Sequence, residues 1–272
     1  QKLPTAYDYI RLGHPLSCVL EWTIANLHQL TSESVISFSS QTVPILAILR
    51  KNLLENKNTQ IVYTDKLPAT FDAKIIKSIY GYQFELKNVD NASDISAFDG
   101  STIFISEQDQ ISKTTLSQHI DFYINLYNDL GSILLVNGEE NKHYISEIQH
   151  VRRRETIAMT PANSLIALKS VTEDAPFKIQ NSDVKTNKKI VLDAIKTITG
   201  SHTKALVGSS GLSIQYAIMM GLIDDALENH KGKAIKFIVP PNCYGGTNDQ
   251  ARRVAACLEN VEVVDLPVDG EN

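Results

Sequence analysis

The chain has 272 residues, a formal net charge of −5 with His neutral, 43% hydrophobic and 21% charged residues, 13 Gly and 9 Pro. These are the proportions of a globular protein with room for one large core or two smaller ones, and they exclude a fibre and a disordered chain. The acidic balance speaks against nucleic acid or an anionic membrane as partner, no run approaches the ~18 apolar residues of a membrane helix, and three cysteines without CxxC spacing suit a reducing, cytoplasmic compartment better than a disulfide framework or a zinc site.

Apolar periodicity predicts a helix over Leu16–Leu30, a strand over Ser34–Phe38, a helix over Val43–Leu54 and a strand over Gln60–Tyr63. Strands over Tyr82–Val89 and Thr102–Ile105, a helix over Leu116–Leu130 and a strand over Ser132–Val136 follow. The run Arg152-Arg153-Arg154, ending at Glu155, reads as a solvated face. Beyond the polar stretch Thr172–Lys189 come a helix over Lys188–Thr199, a strand over Ala205–Val207, a helix over Ser213–Leu227, a strand over Ile235–Val239, a helix over Asp249–Leu258 and a strand over Val261–Asp265. Strands alternating with helices of this length predict an α/β fold of parallel βαβ units, and continuous apolar runs suit strands covered on both faces.

The pattern occurs twice. Ser34–Ser40, an apolar helix, a strand at Gln60–Tyr63 and a turn at Leu67–Thr70 are matched by Lys204–Ser210, an apolar helix, a strand at Ile235–Val239 and a turn at Tyr244–Thr247, with Ser40 and Ser210 170 positions apart and Leu67 and Tyr244 177 apart. This predicts a duplication, with domains at 1–177 and 178–272. The second copy runs for fewer than 100 residues to Asn272 and reads as truncated. A parallel sheet cut there leaves an edge and an apolar face uncovered, so a homo-oligomer, a continuation or a partner chain is expected to complete it.

Two turns carry candidate chemistry. Ser209-Ser210-Gly211-Leu212 lies between a predicted strand and a helix, where small residues let backbone N–H groups and the positive helix end face an anion; an ordinary Ser N-cap is the plainer alternative. In Cys243-Tyr244-Gly245-Gly246-Thr247 the two glycines leave the Tyr244 ring free to stack on a flat heterocycle, the alternative being a glycine turn with a surface tyrosine. The histidines lack metal-ligand spacing, and neither a G-x-S-x-G elbow nor a GxGxxG motif is present.

Together the two turns resemble the cystathionine synthase and lyase family of pyridoxal-phosphate (PLP) enzymes of cysteine and methionine metabolism. The resemblance implies a fold type I PLP-transferase unit in which Ser210, Gly211 and Leu212 hold the cofactor phosphate through backbone N–H groups and Tyr244 stacks over the pyridine ring. The start of the chain, Tyr9-Ile-Arg11-Leu-Gly13-His-Pro15 with Leu20-Glu21 and Ile24-Ala25 beyond, is similar to the family's Y-x-R-x-G-N-P segment, whose Tyr and Arg reach the cofactor phosphate of the partner subunit. It further implies elimination or replacement at the β or γ carbon of a small sulfur-containing or homoserine-derived amino acid.

The first copy departs from the family where its working groups would stand. Gln41 takes the place of the turn glycine, and Leu67-Pro68-Ala69-Thr70 that of Y-G-G-T. Asn137 stands where the family has the Asp that pairs with the ring nitrogen. Asn163 stands where it has the lysine that carries the cofactor, and is expected to face the cofactor's place with no lysine beside it. No catalytic lysine is identified in the second copy either. The expectation is one surviving PLP site assembled from Tyr9, Arg11, Ser210, Gly211, Leu212 and Tyr244, the chain being part of an enzyme. The alternatives are a non-catalytic pseudoenzyme subunit and a phosphate-ligand binding module.

Overall fold

The computed structural model describes Arg11, residues 13–178 and residues 183–266. The first part comprises α1 (Pro15–His28), β1 (Val35–Phe38), α2 (Val43–Leu54), β2 (Thr59–Tyr63), α3 (Ala73–Ser78), β3 (Glu85–Asn88), β4 (Ser101–Glu107), β5 (Phe122–Tyr127), β6 (Gly131–Val136), α4 (Ile145–Glu155) and α5 (Pro161–Glu173). Its strands form one six-stranded sheet in the order β1-β6-β5-β4-β2-β3. Only β6 runs against its neighbours, antiparallel to both β1 and β5. The ends of β1, β2, β4 and β5 therefore share one edge of the sheet, while Asn137, which follows β6, lies at the opposite edge.

Apolar clusters cover both faces. Ile36, Phe38, Ile103, Phe122 and Ile124 pack with Ile45 and Ile48 of α2 and Ile148 of α4, whereas Val35, Phe104, Tyr123, Ile133 and Leu135 pack with Leu20 and Ile24 of α1 and Ala167 of α5. The helix expected over Leu116–Leu130 is instead the strand β5. All six residues of Phe122–Tyr127 are buried, and successive side chains enter opposite clusters. A strand that serves two cores is apolar on both faces, here at every position but Asn125, so its period of two is hidden and the run imitates a buried helix.

β1 is an edge strand, yet each of its residues is buried. Glu21 Oε1 accepts from Ser37 N (2.9 Å) and Ser37 Oγ (2.7 Å), and Arg152 Nη1 donates to Ser37 O (3.2 Å) and to Glu21 Oε1 (2.6 Å). The ion pair thus occupies backbone groups that another strand would use. Arg152 is 6% exposed, so the basic run is not the solvated face its charge predicts.

The second part comprises α6 (Val184–Thr199), α7 (Gly211–Asn229), β7 (Ile235–Val239), α8 (Gly245–Ala255) and β8 (Val261–Asp265). β7 and β8 form a separate parallel two-stranded sheet. Tyr216, Met219, Ile223, Val254 and Val261 make a small core that packs against Ile79 and Tyr80 of the first part. The strand expected at Ala205–Val207 does not form, and Leu206 and Val207 are exposed. β7 and β8 pair only with each other, and no strand among the described residues lies beside Ala205–Val207. No helix among the described residues is long and apolar enough to cross a membrane.

The parts are joined by buried and half-buried polar contacts. Arg50 of α2 donates to the hydroxyls of Tyr82 (3.1 Å) and Tyr216 (3.2 Å) and pairs with Glu155. Burial alone would loosen the guanidinium's proton, but the charge of Glu155, with Tyr82 and Tyr216 beside it, outweighs this and sets Arg50 well above its ordinary pKa. Arg253 of α8 pairs with Glu147 of α4.

Candidate functional site

At the start of α7 the chain folds on itself through serines. Ser210 is the N-cap, its Oγ accepting from Ser213 N (3.1 Å), while Ser213 Oγ accepts from Ser210 N (2.8 Å). Gly211 and Leu212 are the first two helical residues, so their N–H groups have no intrahelical acceptor and stand at the positive end of the helix. The space a Cβ would take at Gly211 is open.

α8 starts beside it. Tyr244 is the N-cap residue and is 58% exposed. Gly246 is buried, and a Cβ there would meet the Tyr244 ring edge at 2.6 Å and Arg154 and Leu212 at 3.0 Å. Thr247 Oγ1 donates to Gln215 Oε1 (2.9 Å), tying α8 to α7. Arg11 reaches in from the start of the chain: its Nη2 donates to the Tyr244 hydroxyl at 3.3 Å, across 233 positions of sequence. Arg11, Ser210, Gly211, Leu212, Gln215, Tyr244 and Thr247 line one cleft of about 380 Å³. Of the residues expected at the site, Arg11, Ser210, Gly211, Leu212 and Tyr244 are therefore neighbours; Tyr9 lies outside the described residues.

Behind the cleft stands α4. Asp249 Oδ2 accepts from His150 Nε2 (2.7 Å) and Arg154 Nε (3.0 Å). Partial burial works to raise the Asp249 carboxyl, but the hydrogen bond and charge of His150, with Arg154 and Arg253, leave it below its ordinary value. Thr247 belongs to the glycine turn read from the sequence, but Gln215, Arg154 and Asp249 were not indicated as site residues. No local motif marks them, and only the packing of α4, α7 and α8 brings them to the cleft.

The turn after β1, at Ser40, is closed by its own groups. Ser40 Oγ accepts from Thr42 N (3.3 Å) and Val43 N (3.1 Å), engaging N–H groups an anion would need, and Pro44 has none to offer. Gln41 Nε2 donates to Asn128 O (2.6 Å), and the Thr42 and Thr70 hydroxyls meet at 2.6 Å.

One expectation about that part is corrected. Asn137 cannot stand over a ring held at the Ser40 turn. Because β6 is antiparallel it lies at the far edge of the sheet, donating to Ser117 O (2.9 Å) and Ile120 O (2.7 Å). Asn163 donates to Leu130 O (3.0 Å) and lines a cavity of about 710 Å³ together with Lys169 and Lys178, with no residue of the Ser40 turn. α5, which carries Asn163, packs in the cluster on one face of the sheet, and α2, which follows the Ser40 turn, in the cluster on the other.

No described protein family matches the chain. No curated protein matches it either. Among solved structures it is similar to metB from Corynebacterium glutamicum (15% identity, TM-score 0.41, covering 64% of this chain and 55% of that one). It is also similar to cystathionine gamma synthase from Xanthomonas oryzae pv. oryzae in complex with cystathionine (12%, 0.39, 75% and 60%), and to L-threonine-O-3-phosphate decarboxylase from Porphyromonas gingivalis (9%, 0.35, 66% and 66%). The chain spans less than two thirds of the length of each of these proteins. Likenesses this distant carry no function over to it.

Proposed function

We propose that the cleft between Arg11 and the starts of α7 and α8 binds pyridoxal 5′-phosphate, and that the chain is part of a cytoplasmic PLP-dependent enzyme of sulfur amino-acid metabolism. Its reaction would be elimination or replacement at the β or γ carbon of a small amino acid. The observation that carries this reading is the Arg11–Tyr244 contact, which puts a guanidinium, a stacking ring and two helix-end N–H groups around one space. The N–H groups of Gly211 and Leu212 and the Arg11 guanidinium would hold the phosphate, and the Tyr244 ring would lie against the heterocycle. When bound, the cofactor supplies an electron sink for a carbanion at the substrate α-carbon. The residues of this chain bind and orient it.

The cleft fits the phosphate and the ring, and among the described residues its lining contains neither a lysine nor an acid. In this reading the group that would carry the cofactor covalently comes from outside the described residues, through a continuation or a partner chain. The same observation favours the second reading, a non-catalytic subunit that binds the cofactor without using it. Domains at 1–177 and 178–272 are read as two copies of one plan. In support, β2 and β3 are a parallel pair with Gln60 opposite Glu85, and β7 and β8 a parallel pair with Ile235 opposite Val261, separations of 25 and 26 residues.

Pyridoxine 5′-phosphate, which lacks the aldehyde and cannot modify lysines, tests the binding by calorimetry. The wild-type chain is expected to bind it, and Arg11→Ala to weaken binding about tenfold or more, the scale of a charge-assisted bond to phosphate. Absence of binding refutes the cleft reading. With pyridoxal 5′-phosphate itself, a visible band that maps to one lysine supports the enzyme, and binding without one supports the subunit.

A further inference from the structure

Leu212, the second residue of α7, offers its carbonyl to a helix that is not its own. Gln250 Nε2 donates to Leu212 O at 3.0 Å and to Arg154 O at 3.1 Å. Gln250 is 1% exposed, so both bonds are made away from water. Arg154 is the penultimate residue of α4, and its carbonyl is among those a helix end leaves without an intrahelical donor. One amide nitrogen on α8 therefore joins the last turn of α4 to the first turn of α7. On the cleft side the same junction is closed over Gly246, where Tyr244, Leu212 and Arg154 crowd the place of a Cβ.

We propose that Gln250 is a positioning residue for the anion turn. It carries the place of α4, a helix of the first part, into α7, so that the N–H groups of Gly211 and Leu212 and the Tyr244 ring face one ligand. The proposal rests on the cleft being the phosphate site. It gives the first part, whose own turn is closed, the work of a template for the second.

Gln250→Met keeps the length of the side chain and removes its donors; Gln250→Glu keeps its shape. The readouts are calorimetric binding of pyridoxine 5′-phosphate and amide hydrogen exchange at Ser210, Ser213 and Ile214, whose N–H groups are bonded within the turn, in the ligand-free chain. With Gln250→Met, exchange at these amides should quicken and affinity fall about tenfold, the scale of losing two buried hydrogen bonds, with the circular dichroism spectrum unchanged. In Gln250→Glu a carboxylate would face two carbonyl oxygens and regain a donor only when protonated. Its affinity relative to wild type should therefore rise as pH falls, a profile that a general loss of packing does not produce. If Gln250→Met fails to fold, that pH profile decides. Unchanged exchange in both variants, or unchanged affinity where the wild type binds, overturns the proposal. If the wild type binds no pyridoxine 5′-phosphate, the cleft reading has failed, and exchange in the ligand-free chain still decides whether Gln250 positions the turn.

Discussion

Replacing Glu155 by Gln removes a charge from a place where Arg50 has no water to turn to. The two side chains are 1% and 2% exposed, and the other acceptors of the guanidinium are the neutral hydroxyls of Tyr82 and Tyr216. An exposed ion pair is worth about 0–1 kcal/mol, but stranding a buried charge costs about 3–5 kcal/mol. Glu155→Gln is expected to lose that much unfolding free energy. Tyr216→Phe leaves the counter-charge and takes one hydroxyl, so about 1–3 kcal/mol is expected. Both act on one guanidinium, and the double variant should lose less than the sum. Replacing the pair together, by Arg50→Met with Glu155→Leu, should be nearly neutral, since buried ions repay little more than their desolvation. Urea unfolding followed by far-UV circular dichroism measures each; the single tryptophan, Trp22, is 59% exposed and reports poorly. If Glu155→Gln loses no more than Tyr216→Phe, the guanidinium is solvated and the reasoning is refuted.

The lowered Asp249 pKa makes a contribution to stability that is complete above the ordinary Asp value and lost as pH falls through the lowered one. Thermal stability should therefore drop on acidification less steeply in Asp249→Asn than in wild type, and equal acid limbs would contradict the assignment. Gly246→Ala puts a methyl 2.6 Å from the Tyr244 ring edge, and is expected to swing the ring aside and weaken pyridoxine 5′-phosphate while the chain stays folded; unchanged affinity in calorimetry would remove Tyr244 from the site. Glu21→Ala takes away the acceptor that Ser37 and Arg152 share, and about 3 kcal/mol of stability should go with it, measured by urea unfolding; a loss below about 1 kcal/mol would mean that the edge of β1 is held by other contacts.

The α/β class, most of the strands and the two turns were legible in the chain because each is written in neighbouring residues: apolar runs, a serine before a helix, paired glycines. Reading Ser210–Leu212 and Tyr244 as one site drew on their resemblance to a known enzyme family, and the fold sets Arg11 beside them. What was not legible has a common cause. β5 was hidden because a strand facing two cores shows no alternation, and Ala205–Val207 stayed out of a sheet because no described strand lies beside it to pair with. The direction of β6 moved Asn137 to the wrong edge, and nothing within Gly131–Val136 states a direction. Arg152 and Arg154 looked solvated until the fold delivered Glu21 and Asp249, 131 and 95 positions away. Hydrophobic pattern and turn chemistry act over a few residues and belong to the sequence by itself. Strand partners, strand direction and the counter-charge that lets an arginine be buried exist only once distant segments meet, and those the tertiary structure decided.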